Sequence, residues 1–171
     1  MENILTWARA EQGKLPFEPI KLDLQKICEE ISSYMQSVAI SKNIKIKTEV
    51  NQDINLTADK EMITTIIRNL ISNGLKFTKS GGEITVSAKK EKGKTIITVA
   101  DTGIGIPKNI ISTLFKMTDV LSTDGTANEK GTGIGLLICK EFVDKHGGNI
   151  WVESELNVGT KFSFSIPDKI Q

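Results

Sequence analysis

The chain reads as an α+β fold, a two-layer sandwich of helices on sheet. Three observations predict it. Helical and alternating apolar patterns follow one another as helix, helix, strand, helix, two strands, a mixed stretch, helix and two strands. The strands fall in neighbouring pairs instead of alternating with crossover helices, which argues against a doubly wound sheet. The 171 residues, 39% hydrophobic and 25% charged, have the composition of one ordinary globular domain, able to bury roughly 70% of its unfolded surface.

Residues 2–13 predict a helix, with Ile4, Leu5, Trp7 and Ala8 crowding one side before Gly13. An apolar stripe that begins without a cap suggests the tail of a longer helix. Pro16-Phe-Glu-Pro19 predicts a short extended connector, because a residue before proline avoids the helical region. Asp23 can cap the next helix, in which Leu24, Ile27, Cys28, Ile31, Met35 and Val38 keep a helical period. Ile44, Ile46, Thr48 and Val50 alternate as a half-buried strand. Asp59 then caps a long helix that turns Met62, Ile63, Ile66, Ile67, Leu70 and Ile71 inward. Gly81-Gly82 leads into strands over Ile84–Ala88 and Ile96–Val99, joined by a polar link, Lys89–Lys94. The mixed stretch from about 107 to 130 is rich in Ser, Thr, Asp and Gly in its second half. A loop of that length in a compact domain is functional or disordered. Ile134–Val143 predicts the last helix, stopped by Gly147-Gly148. Ile150–Ser154 and Lys161–Ile166 close the chain as two strands around the Asn157–Gly159 turn.

Formal net charge is +1, and the lysines alternate with acids rather than clustering, which argues against nucleic acid as a direct partner. No apolar run approaches the ~18 residues of a membrane span, and the N-terminus lacks the charged and apolar regions of a signal peptide. Cys28 and Cys139 stand far apart without metal spacing, which predicts two buried thiols in a reducing compartment.

Three blocks carry chemistry. Asp101-Thr-Gly-Ile-Gly-Ile follows a strand-like run, and Gly131-Thr-Gly-Ile-Gly-Leu opens the last helix. Glycines let backbone approach a ligand closely, and a helix that starts at such a turn offers its first N–H groups to phosphate. The backbone of Gly131, Thr132, Gly133 and Gly135 is therefore a candidate phosphate cradle. Upstream, Asn69 and Asn73 stand four apart near the end of the long helix, sharing one face where carbonyl oxygens can ligate a hard cation. Each block alone fits a tight turn or an ordinary helix end. Gly103-Ile-Gly105 lacks the third glycine of a dinucleotide fingerprint, and Gly131–Gly135 lacks the Gly-Lys-Ser/Thr ending of a P-loop. Together they describe a nucleotide-Mg²⁺ site.

The conjunction resembles the nucleotide-binding domain of the GHKL superfamily, and within it sensor histidine kinases, from about Leu22 to Pro167. Asn69-Leu-Ile-Ser-Asn-Gly-Leu-Lys-Phe-Thr is similar to the family's N box, and Asp101-Thr-Gly-Ile-Gly-Ile-Pro to its first G box. Leu114-Phe-Lys is similar to the F box, and Gly131-Thr-Gly-Ile-Gly-Leu to the second G box. His146-Gly-Gly-Asn-Ile-Trp-Val-Glu-Ser and Gly159-Thr-Lys-Phe-Ser-Phe-Ser-Ile-Pro fit its closing strands.

The resemblance implies a Bergerat fold: a mixed, mostly antiparallel sheet covered on one face by helices, with ATP between helices and a mobile lid at about 107–130. It implies that Asp101 accepts the adenine amino hydrogen, assisted by Thr160, with Phe77 near the ring. Lys76 would approach phosphate, and Asn73 would ligate Mg²⁺ with Asn69 beside it. Gly103, Gly105, Ile106, Phe115, Lys130, Gly131, Thr132, Gly133, Ile134, Gly135 and Leu136 would complete the nucleotide site. Three positions depart from the pattern: Gly74 stands for the usual alanine and should loosen the helix end, Met117 for an aromatic, and Ile134 for leucine. Gyrase-like and chaperone-like members carry a glutamate where Asn69 stands. An asparagine cannot take a proton from water, so rapid self-contained hydrolysis is not expected, and another nucleophile must receive the phosphoryl group. In the resembled family that nucleophile is a histidine on a dimerisation hairpin.

The only histidine, His146, lies at the end of the last helix, where it can complement the helix dipole. The expectation is therefore a catalytic ATP-binding domain over 16–171, preceded at 1–15 by the end of a hairpin helix. The hairpin of the same protein and a downstream response regulator would be its partners. The resemblance implies a homodimeric parent and a cytoplasmic domain, with anchoring of the parent in the inner membrane left open. An anti-sigma-type protein serine kinase and a non-catalytic nucleotide-sensing module are the alternatives.

Overall fold

The computed structural model describes residues 2–116 and 133–170. The expectations for Met117 and for the segment from Thr118 to Lys130 concern positions outside the described residues. Helix α1 spans Glu2–Glu11, strand β1 Pro19–Asp23, α2 Leu24–Ser41, β2 Lys45–Glu49 and β3 Asn55–Asp59. Helix α3 spans Lys60–Phe77, β4 Glu83–Glu91, β5 Lys94–Asp101, α4 Lys108–Ile111 and α5 Gly135–Lys145, with β6 Ile150–Glu155 and β7 Gly159–Pro167 closing the order.

The main sheet has five strands in the order β2-β4-β5-β7-β6. Only β2 and β4 run parallel, and every other neighbouring pair in this sheet is antiparallel. Helices α2, α3 and α5 form the second layer, and α1 rests on α5. The expected α+β two-layer sandwich with a mixed, mostly antiparallel sheet is what forms. Ile63, Ile66, Ile67 and Leu70 of α3 are buried with Ile84, Val86, Ile97, Val99, Phe162 and Phe164 of the sheet. The face away from the helices carries short hydroxyl side chains instead, with Thr98 and Ser163 joined at 2.9 Å across β5 and β7. That split between faces is what places the helical layer on one side only.

The two caps form as the sequence predicts. Asp23 accepts the Lys26 N–H at 3.1 Å, and Asp59 accepts the Met62 N–H at 3.0 Å. At the far end of α3 the Lys42 ammonium donates to the Leu75 carbonyl at 2.5 Å, satisfying a helix-terminal acceptor and fixing the turn that carries the candidate site.

Four local expectations change. Strands β1 and β3, not expected from the sequence, pair antiparallel with Pro19 opposite Asp59, so the extended connector ends in a strand. The polar link Lys89–Lys94 shrinks to a two-residue turn, with φ of 49° at Lys92 and 79° at Gly93, and both flanking strands lengthen to meet it. A short helix, α4, stands inside the stretch read as mixed. Gly74 does more than loosen α3: a Cβ there would meet Ile84 Cδ1 at 3.0 Å, so glycine admits β4 close to the helix.

Candidate functional site

The site grows from the junction of three elements. Strand β5 ends at Asp101, one Oδ1 of which accepts the Gly103 N–H at 2.8 Å. Ile104 N–H donates to the Phe77 carbonyl at 3.0 Å, seating the turn on the end of α3. Gly103 is required by this approach, since a Cβ would stand 2.6 Å from the Phe77 carbonyl oxygen. Gly105 has φ of +75°, and its Cβ would stand 2.2 Å from the Glu155 carbonyl oxygen.

The β6–β7 hairpin holds the other side of the turn. Asn157 N–H donates to the Ile104 carbonyl at 2.8 Å. Ser154 Oγ accepts the Ile106 N–H at 2.8 Å, donates to the Gly159 carbonyl at 3.0 Å and lies 2.8 Å from Thr160 Oγ1. With the Ser154 hydrogen committed to Gly159, Thr160 is the donor of that pair, and the lone pairs of its oxygen remain for a ligand. Sequence reasoning missed Ser154. Its only sequence signal is its place on the closing strand: Gly159 and Thr160 lie across the same hairpin, but Ile106, the contact that ties it to the site, is 48 residues away.

These elements enclose a cavity of about 290 Å³. Of the residues expected at a nucleotide, Asn73, Phe77, Asp101, Gly105, Ile106, Leu136 and Thr160 line it. Ile104, Pro107, Ile110, Leu114 and Phe162 also line it and were not among the residues expected at the nucleotide. The walls are apolar, with the Asp101 carboxyl and the Thr160 hydroxyl as polar points, a composition suited to a flat heteroaromatic ring bearing a donor. Burial pushes the Asp101 carboxyl up to about 6, against the downward pull of the Gly103 and Thr160 backbone bonds.

The remaining expected residues surround the cavity instead of lining it. Phe115 stacks edge-on against Phe162 at 6.3 Å between ring centres, and so supports a wall. Lys76 Nζ lies 5.1 Å from the centre of the Phe77 ring. Asn69 faces α5, with its Oδ1 3.6 Å from where a Cβ of Gly135 would be. Gly133 takes φ of +71°, and Ile134 follows at the N-cap position of α5, where its apolar side chain supplies no capping oxygen. Lys130, Gly131 and Thr132 lie outside the described residues.

His146 departs from its expected part. It is 1% exposed, with Nδ1 2.7 Å from the Phe142 carbonyl and Nε2 accepting the Asp59 N–H at 3.0 Å. That pairing requires the neutral ring with its proton on Nδ1, and burial lowers the ring's pKa. It therefore fastens α5 to the start of α3 as a neutral group and adds no positive charge to the helix dipole. Asp59, remote in sequence, is its neighbour in the fold. Cys28 and Cys139 are buried as expected, and burial pushes both thiols up to about 12.

Among the described residues no helix is long and apolar enough to cross a membrane. The sequence profile of the family described as "Histidine kinase-, DNA gyrase B-, and HSP90-like ATPase" matches residues 58–170. The adaptive-response sensory kinase SasA of Synechococcus elongatus is 36% identical over 161 residues, 93% of this chain and 39% of that protein. SasA of Microcystis aeruginosa is 33% identical over 167 residues, 96% of this chain and 43% of its own length. The chain thus spans about two-fifths of the length of these relatives. Among solved structures, the nucleotide-free catalytic domain of histidine kinase ThkA superposes with a TM-score of 0.77 at 29% identity, over 88% of this chain and 96% of that one. Full-length ShkA in complex with AMPPNP gives a TM-score of 0.85 at 25% identity, over 99% of this chain and 35% of that one.

Proposed function

The chain belongs to the family of histidine kinase-, DNA gyrase B- and HSP90-like ATPases, and from that premise we propose that it serves as the ATP-binding catalytic domain of a sensor histidine kinase. It hands the γ-phosphoryl group of ATP to a histidine on a dimerisation hairpin, from which a response regulator takes it. Residues 1–15 are the end of that hairpin's second helix, and 16–171 the catalytic domain of a homodimeric parent.

The observation that carries this reading is the Asp101 carboxyl on the wall of an apolar cavity that also holds Phe77, Thr160 and Asn73. One carboxylate oxygen is engaged by Gly103 N–H, and the other accepts the adenine amino hydrogen. Asn73 and Asn69 lie one turn apart on α3, between the cavity and the start of α5, and their carbonyl oxygens suit a hard cation shared with phosphate. When bound, Mg²⁺ supplies charge neutralisation at the phosphate oxygens. Lys76 adds a second positive charge, and the first N–H groups of α5 orient the phosphate. Asn69, unlike a glutamate, cannot act as general base for water, so the phosphoryl group is kept for the histidine.

The test is a thermal scan with Mg²⁺-ATP, Mg²⁺-ADP and Mg²⁺-GTP. A ligand at 100 times its Kd stabilises by about 2.7 kcal/mol, which moves a melting midpoint by several degrees. Both adenine nucleotides should produce that shift and GTP should not, because guanine places a carbonyl where Asp101 needs a donor. Equal shifts with ATP and GTP would refute the Asp101 assignment.

A further inference from the structure

Cys139 packs against the same asparagine that the proposed site uses. An amide side chain has two different ends of nearly equal shape, and only the oxygen end serves a cation. Asn69 Oδ1 lies beneath Gly135, the first residue of α5, and Nδ2 is buried without a partner in hydrogen-bonding geometry. A buried amide nitrogen with no oxygen acceptor needs another group to keep the two ends from exchanging. Cys139 follows Gly135 by four residues and therefore presents its side chain to the same face of α3, one turn along. The thiol is fully buried and donates its hydrogen to the Ile66 carbonyl at 3.8 Å. With the hydrogen committed there, the sulfur lone pairs remain, and the Asn69 amide is the donor directed at them. Sulfur is a weak and distant acceptor, which accounts for the absence of a short bond at Nδ2.

We propose that Cys139 is a positioning residue: its sulfur holds the Nδ2 end of Asn69, and so turns the Oδ1 end toward the start of α5, where the cation and phosphate bind. This rests on the reading of Asn69 as part of the Mg²⁺-phosphate site. Three replacements separate orientation from packing. Cys139→Ser keeps a donor for Ile66 and an acceptor for Nδ2. Cys139→Val keeps a filled apolar site and removes both. Cys139→Ala removes both without any risk of overpacking.

AMPPNP binding to the 171-residue chain is measured by calorimetry in Mg²⁺ and again in EDTA, and the Asn69 side-chain amide peaks are followed by nitrogen-15 NMR without ligand. The wild type and Cys139→Ser should share one Mg²⁺-dependent gain in affinity and similar Asn69 peaks. Cys139→Val and Cys139→Ala should lose about tenfold of that gain, as an outer-shell partner of a metal ligand does. Their affinity in EDTA should stay within about twofold of the wild type, and their Asn69 peaks should move. A full Mg²⁺ gain with unmoved Asn69 peaks in Cys139→Val and Cys139→Ala would overturn the role of Cys139 alone. A loss in EDTA equal to the loss in Mg²⁺, not rescued by serine, would assign Cys139 to packing and also overturn it. A wild type that shows no Mg²⁺ gain would overturn the reading of Asn69 and the role built upon it.

Discussion

At Asp101 the carboxyl is held near a pKa of about 6 because burial works against its charge, although Gly103 and Thr160 favour the charged form. The folded state therefore binds a proton more readily than the unfolded chain, whose value is the ordinary 3.8. Stability from this group is present at low pH and is lost as pH rises from about 4 to about 6, by about 3 kcal/mol. Asp101→Asn should accordingly raise the melting midpoint of the nucleotide-free protein at pH 7.5. The same change should remove most of the nucleotide shift. The single amide oxygen is taken by the Gly103 N–H, leaving an NH₂ group to face the adenine amino donor. For the wild type, ADP affinity followed by calorimetry should improve several-fold between pH 5 and pH 7.5, as the carboxyl ionises and its second oxygen becomes a charged acceptor. A midpoint that falls in Asp101→Asn at pH 7.5, or an affinity indifferent to pH, would contradict this account.

At the scale of elements, the ends of α3 and α5 are joined through one neutral ring. Protonating His146 would set an N–H against the Asp59 N–H that Nε2 now accepts. Burial lowers its pKa from 6.5, so its contribution to stability is present above about 6.5 and is lost as pH falls below that. This slope opposes that of Asp101, so wild-type melting should respond to pH less steeply than a variant that lacks one of the two groups. In Asp101→Asn only the histidine slope remains, and its midpoint should fall on acidification. His146→Leu should lose about 1–3 kcal/mol by leaving the Asp59 N–H buried and unpaired, with a melting midpoint that no longer responds to acid in the Asp101→Asn background. The aspartates that start α2 and α3 were legible in the sequence, because an N-cap bonds to a residue three positions on. Strands β1 and β3 were not: Pro19-Ile-Lys-Leu-Asp and Asn55-Leu-Thr-Ala-Asp are five residues each, and gain their order by pairing with each other across the intervening α2 and β2. The His146 charge reading failed for the same reason, since β3, α3 and Phe17, whose ring meets the imidazole edge-on at 4.9 Å, are remote in sequence. Asp101, Gly103 and Gly105 stood out because a strand end and a glycine turn leave local marks, whereas Thr160 entered only through the family resemblance. Ser154 was not legible, since the turn it fastens at Ile106 lies 48 residues away; nor was the part proposed for Cys139, which depends on its meeting α3 in the folded chain.

For the whole molecule, the arrangement of layers decides where a phosphoryl group can go. The cavity opens among α3, α4, α5 and the end of the sheet at Asp101 and Thr160, while the one histidine of the sequence is sealed at the opposite end of α5 with both ring nitrogens engaged. Reaching it would require breaking the contact that joins α5 to α3. This chain incubated alone with labelled ATP should therefore acquire negligible stable label. Adding a dimerisation hairpin that carries an exposed histidine should restore labelling in trans, with the acid lability of a phosphoramidate. On the reading proposed for Asn73 as a cation ligand, Asn73→Ala should abolish that labelling, with folding checked by an unchanged melting midpoint in the absence of nucleotide. Asn69→Glu places a carboxylate beside the start of α5, where it can take a proton from water. It should raise phosphate release in the absence of hairpin while lowering the yield of labelled histidine. Release that stays at the wild-type rate would show that water does not reach the γ-phosphate, whatever base stands there. Label on His146 in the isolated chain would mean that the α3–α5 junction opens in solution, and would overturn the transfer proposed here.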